Sequence, residues 1–171
     1  DRAGFEKELE VARERSKGAS KFEADDALLP EELSDPSWET VFRGYAEDDF
    51  VRLEGARTLG LFALSGGAPA PVDALPCGAE GLLVTDRTVF YPEGGGEVAD
   101  TGSVVWPGGR AAVTSTRKSA SGRFIQHHVK VEEGTLSRGA TLTLEVSEWT
   151  RRRIQANHTG THLLHAALRK V

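Results

Sequence analysis

The segment Thr141-Leu-Thr-Leu-Glu-Val-Ser-Glu-Trp-Thr150 decides the predicted fold, because two structural patterns meet in it. Its first six residues alternate between polar and apolar side chains, which is typical of a half-buried β-strand. Ser147 follows at once and is a favourable N-cap residue. We therefore predict that a strand gives way here to a helix that runs from Glu148 to at least Val171.

Upstream of this segment, short runs rich in β-branched and aromatic residues are separated by turns that contain glycine or proline. Six further strands are predicted at residues 40–45, 58–64, 82–85, 103–106, 111–116 and 123–131. Pro107-Gly108-Gly109 indicates a hairpin between two of them. Strands of this length and spacing predict a small antiparallel barrel or a strongly bent sheet.

A different pattern precedes the strands. Over residues 5–17 apolar side chains recur every three or four positions among charged ones, which predicts a connecting or docking helix. Residues 23–37 are acidic and contain two prolines, as expected of a linker. The predicted fold class is α+β. Its parts are a connecting helix and linker (1–37), a β-rich part (38–146) and a terminal helix (147–171).

The composition is that of a globular protein, with 171 residues, 39% hydrophobic and 27% charged. No apolar run approaches the roughly 20 residues that span a bilayer, so no membrane partner is expected. The net charge of −5 means that any RNA contact must be local, and DNA is not expected as a partner. A single cysteine, Cys77, excludes an internal disulfide and fits the cytoplasm. The absence of methionine and a helical pattern still running at Val171 predict a piece of a longer chain.

The terminal helix contains Asn157-His-Thr-Gly-Thr-His-Leu-Leu-His165. His158 and His162 are four residues apart, a spacing that places two imidazoles about 6 Å apart on one helix face, where both can reach one metal ion. Two solvent-facing histidines would show the same spacing, and a zinc site needs three or four protein ligands. His165 lies about 10 Å along the axis from His158, too far to join the same ion easily. His162 with His165, three residues apart, is a weaker alternative pair. No glutamate follows His158, which argues against a His-Glu-x-x-His zinc protease.

The opposite side of this helix is apolar and is predicted to pack on a core, so that the histidine side, near Arg151, faces a cleft. The apolar positions are Leu163, Leu164, Ala167, Leu168 and Val171. Gly160 lies among them. Because a helical glycine costs about 1 kcal/mol relative to alanine, we expect close packing to account for it.

A second motif is a glycine-rich segment over residues 88–102. Gly94, Gly95 and Gly96 allow a ligand to approach the backbone closely. The carboxylates of Glu93, Glu97 and Asp100 could orient water or bind an ammonium group, although a structural loop with solvated acids is the alternative. It is not a phosphate loop, because no lysine follows the glycines.

Three arginines, Arg151 to Arg153, begin the terminal helix. Arginine pairs well with phosphate, so Arg151 and Arg152 are candidates for binding RNA, with a solvated helix face as the alternative. A catalytic role for Cys77 is not expected, since no base is evident near it in the sequence.

Together these segments resemble the editing domain of alanyl-tRNA synthetase, which free-standing alanyl-tRNA editing proteins share. Residues 40–45, 86–102, 127–134 and 157–171 resemble four segments of that domain, in family order. Residues 5–17 resemble the helix that leads out of the synthetase half. The resemblance favours a piece of a synthetase; the alternatives are a free-standing hydrolase and a non-catalytic tRNA-binding or structural module.

The resemblance implies hydrolysis of serine or glycine wrongly esterified to alanine tRNA, with the acceptor end of that tRNA as partner. It implies that His158 and His162 bind Zn²⁺ together with a later Cys-x3-His. Glu97 and the three glycines would line the aminoacyl pocket, with Thr161 beside the metal. ATP and Mg²⁺ would be needed only in the parent ligase.

This sequence departs from the family pattern at two points. Glu97 stands where the family usually has glutamine, and no Cys-x3-His is present. The chain alone is therefore expected to be inactive.

Overall fold

The computed structural model describes residues 28–45, 51–66, 68–94 and 98–169, and for His158, His162, Leu164 and Ala166 only the backbone. The helix predicted over residues 5–17 and the first part of the predicted linker lie outside the described residues.

Within these ranges the chain forms short and long β-strands, one 3-10 turn at Glu31–Leu33 and one α-helix. The strands are β1 (Val41–Phe42), β2 (Arg52–Ala63), β3 (Ala70–Pro71), β4 (Ala74–Pro76), β5 (Glu80–Thr85), β6 (Arg87–Thr88), β7 (Gly102–Trp106), β8 (Gly109–Lys118), β9 (Ile125–Glu133), β10 (Thr135–Ser137) and β11 (Thr141–Val146). The helix is α1 (Glu148–Leu168).

Six of the described strands form a closed antiparallel barrel in the order β2-β5-β9-β8-β7-β11, with β11 pairing back to β2. The predicted barrel and the hairpin around Pro107 are confirmed: β7 and β8 pair antiparallel, with Trp106 opposite Gly109. Closure depends on β2, which is longer than predicted. Its first half pairs with β11 and its second half with β5. Sequence patterns missed the first half because charged residues such as Arg52 and Glu54 fill it.

The barrel interior holds the main apolar core. Leu142, Leu144 and Val146 of β11 are all buried, as the alternation predicts. A second apolar cluster lies against β5, where Leu82 and Val84 are also buried. Leu29 joins that cluster.

The end of the predicted linker packs on the barrel. Leu29 is buried, and its N–H donates to Gln126 Oε1 at 3.0 Å. Trp38 meets the rings of Phe62 and Phe124 edge-on, at 6.1 and 5.8 Å between centroids. The end of the acidic segment and Trp38, which follows it, are therefore docked on the barrel by their apolar side chains.

Helix α1 begins as predicted, because Ser147 Oγ accepts a hydrogen bond from the Thr150 N–H at 3.4 Å. The helix ends at Leu168, three residues before Val171, and residues 170–171 lie outside the described part. In the described ranges no helix has the length and apolarity needed to cross a membrane.

The predicted packing of the apolar helix side is wrong for the described side chains. Leu163 and Leu168 are 67% and 66% exposed, and Ala167 is exposed as well. A Cβ placed on Gly160 would meet no described atom within 4 Å, so close packing does not account for this glycine. The reason is that α1 docks through its first two turns: among its described side chains only Arg151 is buried, while Thr150 and Ile154 are half-buried.

Candidate functional site

A buried ion pair joins helix α1 to the barrel. The side chains of Arg151 and Asp100 are 6% and 3% exposed. The Nε of Arg151 donates to both carboxylate oxygens of Asp100, at 3.3 and 3.1 Å, and its Nη2 donates to the same carboxylate. Arg151 Nη1 also donates to the carbonyl of Gly44 at 3.3 Å, and Nη2 to that of Val89. A buried guanidinium needs such a partner set, because an unpaired charge away from water is costly.

Asp100 also closes the base of the glycine-rich segment. Its Oδ2 accepts from the Tyr91 N–H at 2.7 Å, and its own N–H donates to the Tyr91 carbonyl at 3.0 Å. On the other side, the Glu93 N–H donates to the Thr116 carbonyl at 2.9 Å, and the Glu93 carboxylate pairs with Arg117 at 3.2 Å. The segment is thus fixed to β8 and to α1 at its two flanks.

Gly95, Gly96 and Glu97 lie outside the described residues. Gly94 is exposed. A Cβ added to Gly94 would lie 4.0 Å from the carbonyl oxygen of Pro92 and would therefore meet no steric obstacle among the described residues. The predicted roles of the three glycines and of Glu97 stay predictions.

The helix carries positions 158 and 162 along the line that begins at Arg151. At about 100° per residue, they lie about 20° to either side of Arg151 around the axis, and about 10 and 16 Å further along it. Gln155 lies about 40° from Arg151, on the same side of the helix. Because Arg151 points at the barrel, this line starts on the side of α1 that faces Asp100. The side chains of His158 and His162 themselves lie outside what is described, and in the described part no group of three or more His, Cys, Asp or Glu side chains could hold a metal ion.

The remaining predicted site residues lie on the surface or inside the ion pair. Thr161 is exposed, and its Oγ1 donates to the Asn157 carbonyl at 2.9 Å. Arg152 is exposed and pairs with Glu148 one turn earlier. Arg151 is engaged inside the protein, and its predicted contact with RNA stays a prediction.

A cavity of about 120 Å³ opens where α1, the glycine-rich segment and the β1 region meet. Its wall includes the rings of Phe42, Tyr45 and Tyr91, together with Val98, Ile154 and Gln155. The Arg151–Asp100 pair also lines it. A larger cavity, of about 270 Å³ beside Trp38, shares no lining residue with it and contains none of the predicted site residues.

His127 in β9 is a buried histidine to which the sequence patterns assigned no individual role. Its Nδ1 lies 3.0 Å from the Leu83 carbonyl, and its Nε2 lies 2.8 Å from Thr88 Oγ1. The carbonyl can only accept, so Nδ1 carries the proton and Nε2 accepts from the hydroxyl. Burial lowers the pKa of His127 to about 4, against the hydrogen bond to Leu83, which raises it. Adjacent His127 and His128 gave no local sign of which one enters the core.

The chain is similar to one protein family over most of its length and to individual proteins over all of it. Residues 1–150 match the family model described as tRNA synthetases class II (A). The chain is 42% identical over 175 residues to an alanine–tRNA ligase of Thermus thermophilus, and the match covers 100% of this chain and 19% of that protein. It is 44% identical over 173 residues to the alanine–tRNA ligase of Chromohalobacter salexigens and 39% identical over 171 residues to that of Bordetella avium, covering 18% of each. The chain thus spans about a fifth of the length of the curated relatives it matches.

Proposed function

The chain belongs to the alanyl-tRNA synthetase family, and we propose that it is the part of an alanine–tRNA ligase that begins the editing site. The site would hydrolyse the ester that joins serine or glycine to alanine tRNA. A synthetic site built for alanine cannot strongly exclude the smaller glycine, and serine differs only by a hydroxyl, so a second, hydrolytic site is the expected remedy.

One observation carries this proposal: the buried Arg151–Asp100 pair. It fixes the first turns of α1 against the flank of the glycine-rich segment, with Arg151 Nε 3.1 Å from Asp100 Oδ2. Positions 158 and 162 continue the same line of the helix. The glycine-rich segment and the histidine-bearing helix, whose contacting residues are 51 positions apart in the chain, would thereby contribute to one site.

Positions 158 and 162 suit part of a zinc site, because α1 is uninterrupted between them and imidazole is a common zinc ligand. His158 and His162 would hold the ion, with further ligands from outside this chain. Bound Zn²⁺ would supply a Lewis acid that polarises the ester carbonyl.

The other residues would bind and orient the substrate. The backbone of Gly94, Gly95 and Gly96 would allow the aminoacyl group to approach closely, and the carboxylate of Glu97 would bind its ammonium group. Thr161 would lie beside the metal. Arg152 is exposed and would contact the phosphates of the acceptor end.

The experiment uses the complete ligase that carries this segment and measures release of serine from mischarged alanine tRNA. In the variant His158→Ala/His162→Ala, we expect deacylation to fall by more than about 100-fold, and a chelator should do the same to the wild type. Alanylation of tRNA is the internal control and should be unchanged. His165→Ala is the matched control for loss of an imidazole from the same helix. Undiminished deacylation in the double variant would refute the proposal.

A further inference from the structure

The cavity at the start of α1 has an exposed apolar rim. Tyr45 is 78% exposed and Val98 is 69% exposed, and both line this cavity. Exposed apolar side chains that converge on one concave site indicate a ligand or a partner.

The ring of Tyr45 is held in place although most of it is open to solvent. It meets Phe42 edge-on, with 5.0 Å between ring centroids and 83° between ring planes. Phe42 in turn meets Tyr91 edge-on at 5.9 Å. Edge-on contacts of this kind stabilise aromatic clusters, and here they fix an exposed ring at the mouth of a cavity.

The segment that carries Tyr45 is tied to the buried ion pair. A Cβ on Gly44 would lie 2.8 Å from the Val89 carbonyl and would also overlap the Phe42 ring, so glycine is required at this close approach. The Gly44 carbonyl accepts from Arg151. The residue that precedes Tyr45 is therefore held by the same guanidinium that holds α1 on the barrel.

We propose that this cavity binds the 3′-terminal nucleobase of the tRNA, with the base stacked on Tyr45. The inference rests on the proposed function and names the part of the substrate that this surface takes. Single-stranded bases are commonly bound by stacking on aromatic side chains, with hydrogen bonds to their polar edges. Tyr45 and Gln155, which both line the cavity, carry a hydroxyl and an amide that supply donors and acceptors.

The position of the cavity along α1 fits this occupant. Ile154 and Gln155 line it, and position 158 comes one helical turn later, about 5 to 6 Å along the axis. In an aminoacylated tRNA the ester is on the ribose of the terminal nucleotide, directly beside the base of that nucleotide. A base in this cavity would therefore leave the ester near the part of α1 that carries the proposed metal position.

The charge of the chain also favours stacking over a phosphate site. The net charge is −5, and the carboxylate of Asp100 beneath the cavity already neutralises Arg151. Discrimination that comes from stacking depends little on salt, whereas each phosphate contact adds to the salt dependence of binding.

The test uses the 171-residue chain and an RNA hairpin that reproduces the acceptor stem of alanine tRNA with its CCA end. The hairpin carries no esterified amino acid. Fluorescence anisotropy compares this hairpin with one whose last nucleotide lacks its base. We expect the intact hairpin to bind about 5- to 150-fold more tightly, with a ratio that changes little between low and moderate salt. Tyr45→Ala should abolish the preference, while Tyr45→Phe should retain it.

Trp149→Ala is the matched control, because Trp149 is an aromatic residue of α1 that is 68% exposed and does not line the cavity. It should keep the preference for the base. Equal affinity for the two hairpins, no measurable binding of the intact hairpin, or an unchanged preference in Tyr45→Ala would overturn the inference. The measurement needs neither a metal nor an ester, so its failure is separate from a failure of serine release in the complete ligase.

Discussion

Replacing Asp100 by asparagine should strongly destabilise the 171-residue chain. The change keeps the size of the side chain and removes the carboxylate charge that pairs with the buried guanidinium of Arg151. Breaking a buried ion pair by removing one partner costs about 3–5 kcal/mol. The Tyr91 N–H can still donate a hydrogen bond to the amide oxygen of the new asparagine. We therefore expect a loss of unfolding free energy near the lower end of this range, about 3 kcal/mol.

The assay is equilibrium unfolding in urea, followed by the far-UV signal, with the slope of the transition compared between variants. Arg151→Met and the double variant Asp100→Asn/Arg151→Met complete a double-mutant cycle. Because the two side chains touch, the double variant should be less destabilised than the sum of the single variants, by about 1–3 kcal/mol.

The matched control is the exposed pair of Arg52 and Glu54, whose side chains are 51% and 70% exposed. Glu54→Gln should change the free energy of unfolding by no more than about 1 kcal/mol, since exposed ion pairs contribute little. A cost below about 1 kcal/mol for Asp100→Asn, or strict additivity in the cycle, would refute the view that this pair holds α1 on the barrel.

Three further outcomes are expected. The pKa of His127 is about 4 in the folded chain and below the ordinary value of 6.5. Between these two pH values the unfolded chain binds more protons than the folded chain, so the free energy of unfolding falls as the pH drops. The loss between pH 7 and pH 5 should be about 2 kcal/mol. Urea unfolding at both pH values checks this: His127→Phe should lose that pH dependence and His128→Gln, which keeps the buried imidazole, should retain it. Ser147→Ala removes the N-cap bond to Thr150 and should cost about 1 kcal/mol in the same assay, while Ser137→Ala on β10 serves as an exposed control. Gly160→Ala should stabilise α1 by about 1 kcal/mol, seen as a higher melting temperature, because no described atom lies near the added methyl group; a loss of stability would mean that this position is packed.

Local patterns sufficed for much of the fold. Alternation over residues 141–146 and the cap at Ser147 are properties of a few neighbouring residues, and the structure has both. The first half of β2 escaped prediction because its partner β11 is distant in the chain and its outward side chains are charged. Pairing with a distant strand decides such a segment, and local β-propensity does not.

The motifs of the candidate site could be predicted from the sequence, but the way in which their side chains are arranged in space could not. Asp100 and Arg151 both stood out in the sequence, yet charged residues are usually solvated, and nothing local indicates that these two are buried together. Amphipathicity likewise predicted that the side of α1 with Leu163 and Leu168 needs a partner, but it cannot say whether this chain provides one.

Helix α1 is fixed to the barrel at its start and projects away from it. The Val146 N–H donates to the Val51 carbonyl at 2.7 Å and the Ser147 N–H to the Thr101 carbonyl at 2.8 Å, so the backbone just before the helix is held on both sides. The guanidinium of Arg151 holds the first turn. A tilt of about 5° there would displace the backbone at position 162, about 16 Å away, by about 1.4 Å. An error of about 1 Å in the placement of a reacting group can cost about 100-fold in rate. In the proposed editing site, the rigidity of this contact would therefore set how accurately positions 158 and 162 are placed.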